Sequence, residues 1–378
     1  MFGNALTLFR LRGFDVRIDL SWLIIFALIV WSLASGVFPA AYAGLEPWAY
    51  WMMGVAAALA LFGSIVLHEL AHAIVARRYG LRVRSITLFL FGGVADLREE
   101  PPSAKAELRT ALAGPATSLA IAAVCLAVAV AGNILGLAVP VWTVIGYLGA
   151  ANLLLFVFNM IPAFPLDGGR VLRSVLWQRT GNLQKATRIA SGSGNAFGIF
   201  MMILGVALLF AGNFIGGLWW ILIGFFIRSA AQTSWNQLLI RQTLSGEPVR
   251  KFMKTELVTV PRSLSVRELV EDVVYRTHHK LYPVVERDEL VGCVTTNRIK
   301  ELPREEWDRQ TVGAVAETCA PENTIAPETD ALEALARMTR GKRSRLLVVD
   351  QGRLVGIITL RDLLSFLSIK MELEGSSA

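Results

Sequence analysis

Four long stretches of this chain, residues 20–45, 48–67, 110–166 and 189–227, contain no Asp, Glu, Lys or Arg, and no other feature restricts the fold as much. A run of about 20 apolar residues is long enough to cross the hydrocarbon of a bilayer as a helix. With 54% of its residues apolar and only 18% charged, the chain is too apolar for an ordinary soluble protein, and disordered or collagen-like structure is excluded. Residues 228–378 differ, because charged side chains alternate there with short apolar runs. Two solvents are implied, lipid for the first part and water for the second.

Cutting the charge-free stretches at their Gly, Pro and Asn breaks gives six spans, roughly 20–38, 49–75, 109–131, 141–161, 195–211 and 214–233. Lys and Arg gather on the cytosolic side of a membrane, which tests the cut. Arg10, Arg12 and Arg17 precede the first span; Arg77, Arg78, Arg82, Arg84, Arg98, Lys105 and Arg109 lie between the second and third; Arg170, Arg173, Arg179, Lys185 and Arg188 lie between the fourth and fifth. The alternate loops carry neither Lys nor Arg. A multi-pass protein of the cell membrane with both termini in the cytosol follows. The first apolar run, from Leu20, reads as a retained helix, since no convincing cleavage site comes after it. Trp48, Trp51, Trp219 and Trp220 fall near span ends, as an interfacial belt does.

The net charge of +7 divides unevenly: residues 1–227 hold 15 basic and 9 acidic side chains, and residues 228–378 hold 22 and 21. No basic face on a soluble domain is needed to explain the excess, so no nucleic acid is expected as a partner. The three cysteines, Cys125, Cys293 and Cys319, show no Cys-x-x-Cys spacing and read as reduced thiols in a cytosolic compartment.

Between the second and third spans, Leu81 to Leu97 is rich in β-formers, with Gly92 and Gly93 at a turn position. A short β-hairpin dipping into the protein interior is expected, because extended backbone at membrane depth is tolerated only when covered or lining a wet cavity. The polar part repeats at an offset of 64 positions: Val284-Val285 matches Val348-Val349, Gly292 matches Gly356, and Thr295 matches Thr359. Two ββα-like units that cover each other's sheets make one α/β domain of about 125 residues.

The most informative residues are His68-Glu69-Leu70-Ala71-His72, at the cytosolic end of the second span. Residues four apart share a helix face, so His68 and His72 can present imidazoles to one metal with Glu69 beside them as proton acceptor. This is the arrangement of zinc hydrolases. From Trp48 to Val75 there is no other Asp, Glu, Lys, Arg or His, and such groups at membrane depth need partners that a metal and a wet cavity supply. By contrast, His278 and His279 sit in an ordinary helix-to-strand connection of the polar part. A catalytic zinc takes a third protein ligand and keeps one position open. The first acid after Thr110 is Asp167, in the stretch NMIPAFPLDGGR from Asn159 to Arg170. It emerges on the same side as His72. An Asp here also suits the cap of a helix that starts at Gly168.

These residues resemble the site-2 protease family of intramembrane metalloproteases. HELAH, the LFGG stretch from Leu90 to Gly93, Ala113-Gly114-Pro115 and NMIPAFPLDGG occur in the family's order, and the combination is specific. The resemblance implies that His68, His72 and Asp167 bind one Zn2+, that Glu69 is the catalytic acid/base, and that Asn159 contacts the substrate backbone or the developing oxyanion. After Gly114-Pro115, where members often show Asn, this chain has Ala-Thr-Ser. The repeat and the stretch from Gly356 to Asp362 resemble a pair of cystathionine-β-synthase-type (CBS) domains. That implies contacts from Thr359 and Asp362 to the ribose of an adenine nucleotide acting as regulator. The first copy has Arg298 where that Asp stands, so one nucleotide cleft is expected rather than two.

The expected fold class is therefore a membrane all-α domain, six transmembrane helices with a short β-hairpin insertion, plus an α/β cytosolic CBS pair. Its divisions are residues 1–235, a linker at 236–247, the pair at 248–370 and a disordered tail at 371–378. The expected activity is hydrolysis of peptide bonds in the transmembrane segments of membrane-anchored proteins, with the lipid bilayer as surroundings and a homodimer through the CBS pair. The alternatives are a CBS-regulated transporter or channel, and a protease-like scaffold without catalysis. An ion path would place charges in several spans, and this sequence offers almost none beyond the HELAH group and its Asp.

Overall fold

The computed structural model describes residues 6–11, 13–81, 83–89, 92–97, 100–136, 138–287 and 289–375. The chain divides into two compact units, Met1–Asn236 and Gln237–Ala378.

In the first unit, strands β1 (Leu6–Leu11) and β2 (Phe14–Ile18) pair antiparallel. Helix α1 (Ser21–Ser32) passes through a π segment, Leu33–Val37, into α2 (Phe38–Ala41), and α3 (Pro47–Arg78) follows. Strands β3 (Val83–Phe89) and β4 (Gly92–Leu97) form a hairpin. Then come α4 (Ala104–Ile134), α5 (Val139–Asn159), the shorter α6 (Asp167–Thr180), α7 (Leu183–Phe210) and α8 (Phe214–Leu244). Among the described residues six helices are long and apolar enough to cross a membrane: Ser21–Ala41, α3, α4, α5, α7 and α8. Each overlaps an expected span. The ends differ where a helix outlasts its apolar part. α7 begins at Leu183 because Asn182 caps it, accepting from Lys185 N at 2.9 Å, and Lys185 and Arg188 are good helix formers.

The expected hairpin belongs to a larger sheet of order β1-β2-β3-β4, in which β2 and β3 are parallel. Two membrane crossings return the chain to the side it left, which lets β2 and β3 lie side by side. Gly92 and Gly93 open β4 opposite Phe89 and Leu88, one step past the turn expected for them; Leu90 and Phe91 lie outside the described residues. Phe14, Leu81 and Val83 bury against Leu70, Ala73 and Ala76 of α3, so the sheet is seated on the end of the helix that carries His68 and His72. Full burial of a side chain like Phe14 is worth about 1.5–3 kcal/mol.

Pro162 and Pro165 interrupt the chain after α5, and Phe164–Pro165 is cis. The loop is held to α7, with Phe164 N donating to Ala190 O at 3.4 Å and Ser193 Oγ donating to Pro162 O. α6 starts hard against this loop. A Cβ on Gly168 would lie 2.4 Å from the carbonyl oxygens of Met160 and Ile161, an approach that only glycine permits.

The second unit repeats itself as the sequence does. β5 (Val260–Pro261) pairs with β6 (Leu281–Glu286), after α9 (Val266–Glu268), a π segment and α10 (Tyr275–Thr277). β6 pairs with β7 (Glu289–Thr295), which leads through α11 (Thr296–Lys300) and α12 (Val312–Val315) to the edge strand β8 (Glu317–Thr318). In the second copy β9 (Thr324–Ile325), α13 (Ala331–Arg340), β10 (Arg345–Asp350), β11 (Arg353–Thr359) and α14 (Leu360–Gly375) recur in that order. Even the register shift is shared, between Val284 and Val285 in one copy and Val348 and Val349 in the other. Arg343 is taken by Glu317, with Nη1 at 3.2 Å from one carboxylate oxygen, and this hydrogen-bonded guanidinium holds the Glu317 carboxyl below the usual carboxylate range.

Two expected boundaries need correction. The residues assigned to a linker at 236–247 are helical as far as Leu244, because Leu238 and Leu244 are buried, and Leu244 joins the core of the second copy. The expected disordered tail from 371 is helical as far as Gly375, since Met371, Glu372, Leu373 and Glu374 are good helix formers; residues 376–378 lie outside the described residues.

Candidate metal centre

His68 and His72 lie 21 and 25 residues into α3, one turn apart on a buried face. Asp167, the first residue of α6, meets them. The Asp167 Oδ2 atom is 3.1 Å from His68 Nε2 and 3.2 Å from His72 Nε2, and the two Nε2 atoms are 3.1 Å apart. Asp167 does not cap its helix: the N-cap is Leu166, and no side-chain cap bond is present. All three groups are buried, at 6%, 4% and 9% exposure.

The outer nitrogens explain which way these rings face. His72 Nδ1 is 2.6 Å from the backbone carbonyl oxygen of Thr110. A carbonyl only accepts, so Nδ1 carries the hydrogen, and in the neutral form of the ring the Nε2 lone pair turns to the centre. In that form the lone pair faces a carboxylate oxygen, a contact that a cation between them turns from repulsive to favourable. His68 Nδ1 lies 2.9 Å from Ser118 Oγ. Such outer partners orient metal-binding imidazoles. Four-coordinate zinc, with bonds of about 2.0–2.2 Å, sets neighbouring ligand atoms roughly 3.3 Å apart, close to the observed triangle. Gly114 forms the wall: a Cβ there would lie 2.2 Å from His72 Nε2 and 2.4 Å from His68 Nε2. The donor set and its walls therefore fit a divalent metal.

Comparison with known proteins adds an independent line. The family model for peptidase family M50 matches residues 56–137 and 135–205, and the CBS domain model matches 249–305 and 315–369. Rip3 of Mycobacterium tuberculosis, named as a zinc metalloprotease, is 36% identical over 370 residues, 97% of this chain and 93% of its own length. The chain belongs to peptidase family M50. The zinc metalloprotease MJ0392 of Methanocaldococcus jannaschii is 29% identical over 98% of this chain and 99% of its own. A solved site-2 protease from that organism is 29% identical, covering 61% of this chain and 94% of the solved one, with a TM-score of 0.42. As an M50 member carrying a CBS pair, this chain is a membrane metalloprotease.

Of the M50 site residues expected from the sequence, the structure brings His68, His72 and Asp167 together. Glu69 is half-buried beside His68 on α3, and Asn159 is half-buried as the last residue of α5, where the loop to Asp167 begins. Neither hydrogen-bonds to the three donors among the described residues. Sequence reasoning missed the Thr110 carbonyl and Ser118. Ser118 lies four residues after Gly114, in the segment that departs from the usual M50 pattern, and it is fully buried.

In the second unit, Thr359 and Asp362 edge a cavity of about 380 Å³ that Lys254, His279, Lys280 and Arg345 also line. Thr359 Oγ1 donates to Asp362 Oδ2 at 2.6 Å and accepts from Asp362 N at 3.1 Å, and Lys254 Nζ is 3.2 Å from Asp362 Oδ1. His278 lines it as well. In the first copy Thr295 accepts from Arg298 N at 3.3 Å, while the Arg298 guanidinium turns to Glu301.

Proposed function

We propose that this protein is an intramembrane zinc protease that cuts the transmembrane segments of anchored proteins near the cytosolic face of the cell membrane. The convergence of His68, His72 and Asp167 on one point is the observation that carries this reading. His68, His72 and Asp167 would hold the zinc, which would supply the Lewis acidity that activates water near neutral pH and polarises a carbonyl. Glu69 takes the proton from the attacking water on its carboxylate and passes it to the departing amide nitrogen. The Asn159 side-chain amide donates to the carbonyl oxygen as negative charge develops there. His72, fixed by the Thr110 carbonyl, and His68, fixed by Ser118, keep their Nε2 atoms turned inward throughout.

A helical substrate hides its carbonyls in hydrogen bonds and must unwind before it is cut. β4 is an edge of the four-stranded sheet, and an unwound segment can pair with it as an added strand. The Lys and Arg that gather before the first span, between the second and third and between the fourth and fifth support a cytosolic position for both termini and the CBS pair. Reconstitution in liposomes with a single-pass substrate tests the reading. The wild type cleaves within the transmembrane segment, and Asp167→Ala loses cleavage together with bound zinc. Cleavage that persists without the metal refutes it.

We further assign regulation to the CBS pair at 248–370, with the protease in 1–235. The basic groups Lys254, Lys280 and Arg345 around one cavity suit the phosphates of an adenine nucleotide, and Asp362 suits its ribose, in a pair that dimerises. Hydrogen bonds to a charged group are worth about 1.5–3 kcal/mol. Asp362→Ala is therefore expected to weaken nucleotide binding by about tenfold to a hundredfold in titration calorimetry, whereas Arg298→Ala in the first copy leaves it unchanged.

A further inference from the structure

A second buried charge cluster lies in the membrane unit, and it touches none of the three donors. Glu107, in the first turn of α4, is fully buried, and Arg173 of α6 is 6% exposed. Arg173 Nε donates to Glu107 Oε1 at 2.6 Å, and Nη2 closes on the same oxygen. Glu100 lies 3.8 Å from Nη2, and the guanidinium sits over the Phe164 ring, 5.2 Å from its centre. Alongside, Ser174 Oγ donates to the Ala104 carbonyl at 2.7 Å.

Desolvating two charges is costly, and a well-packed apolar pair would hold two helices together at least as well. What the ion pair adds is direction, because two nitrogens of the rigid, planar guanidinium close on one Glu107 oxygen and so fix how the two helices approach. The helices it fixes, α4 and α6, both border the metal centre, facing the imidazoles of α3. α4 carries Thr110, one turn beyond Glu107, and then Gly114 and Ser118. α6 carries Asp167, six residues and about 9 Å before Arg173. Phe164, beneath the guanidinium, lies in the loop between Asn159 and Asp167.

We infer that Arg173 and Glu107 are positioning residues: their pair sets the Asp167 carboxylate against the two imidazoles. The inference rests on the three-donor reading of the centre. Full-length protein in detergent, titrated with Co2+ alone, tests it through the visible spectrum, which reports coordination geometry, and through chelator competition. Arg173→Gln by itself strands a buried carboxylate, so the neutral double variant Glu107→Gln/Arg173→Gln decides. It is expected to bind Co2+ about tenfold to a hundredfold more weakly, in the range of outer-partner substitutions, with an altered visible band. Wild-type affinity and spectrum in the double variant, with only the melting midpoint of the metal-free protein lowered, would overturn the inference. If the wild type itself takes up no stoichiometric Co2+, the three-donor reading fails instead.

Discussion

Replacing Glu69 by Gln is expected to abolish peptide hydrolysis while leaving one zinc per chain. The change keeps the shape of the side chain and removes its capacity to take a proton. The three donors converge without Glu69, so the ion has no reason to leave. Loss of a positioned general base costs about a hundredfold to ten-thousandfold in rate, which single-turnover cleavage of a reconstituted substrate measures directly. Zinc analysis of the same preparation separates this outcome from collapse of the site. Undiminished function in the variant would favour a scaffold that binds membrane partners without cutting them.

Gly114→Ala is expected to damage the centre as severely from the opposite side. Its added Cβ would stand 2.2 Å and 2.4 Å from the two Nε2 atoms that face the ion, distances that no relaxed packing allows. Retreat of the rings is resisted by the Thr110 carbonyl at 2.6 Å from His72 Nδ1 and by Ser118 at 2.9 Å from His68 Nδ1, and both partners ride on the same helix as the new methyl. Overpacking of this kind costs about 1–3 kcal/mol, and each 1.4 kcal/mol is tenfold in affinity. Zinc affinity should fall by about tenfold to a hundredfold in chelator competition. Alanine is also the better helix former, by about 1 kcal/mol, which offsets part of that cost, so the metal-free protein should stay folded and melt only slightly below wild type. That combination separates a blocked site from a damaged fold.

The residues that were legible in the sequence are those whose side-chain type announces their chemistry. His68, Glu69 and His72 stand out because nothing else in their span is charged, and Asp167 because it is the first acid after a long apolar run. The six spans were legible because a bilayer demands length and apolarity from each helix separately. The CBS pair was legible through its repeat, which persists down to a shared register shift. The rest depends on contacts between distant segments. β1 and β2 have a partner in β3 that lies beyond two membrane crossings, and no local pattern signals a parallel pair of that kind. Thr110 contributes a backbone carbonyl, to which residue type is irrelevant. Glu107 and Arg173 read as ordinary cytosolic loop charges until α4 and α6 are packed together. The stretch up to Leu244 reads as a linker because polarity marks where a membrane ends and says nothing about where a helix does.

Zinc K-edge X-ray absorption on the purified full-length protein reads out whether two imidazoles and a carboxylate, from α3 and α6, hold one divalent ion. The expected spectrum shows a single zinc per chain with only light nitrogen and oxygen neighbours at about 2.0–2.2 Å, including the outer-ring scattering of two histidines. In Asp167→Ala that signal should be lost or reduced to weakly held metal. A zinc with sulfur neighbours, or one whose surroundings are unchanged in Asp167→Ala, would contradict the three-donor centre.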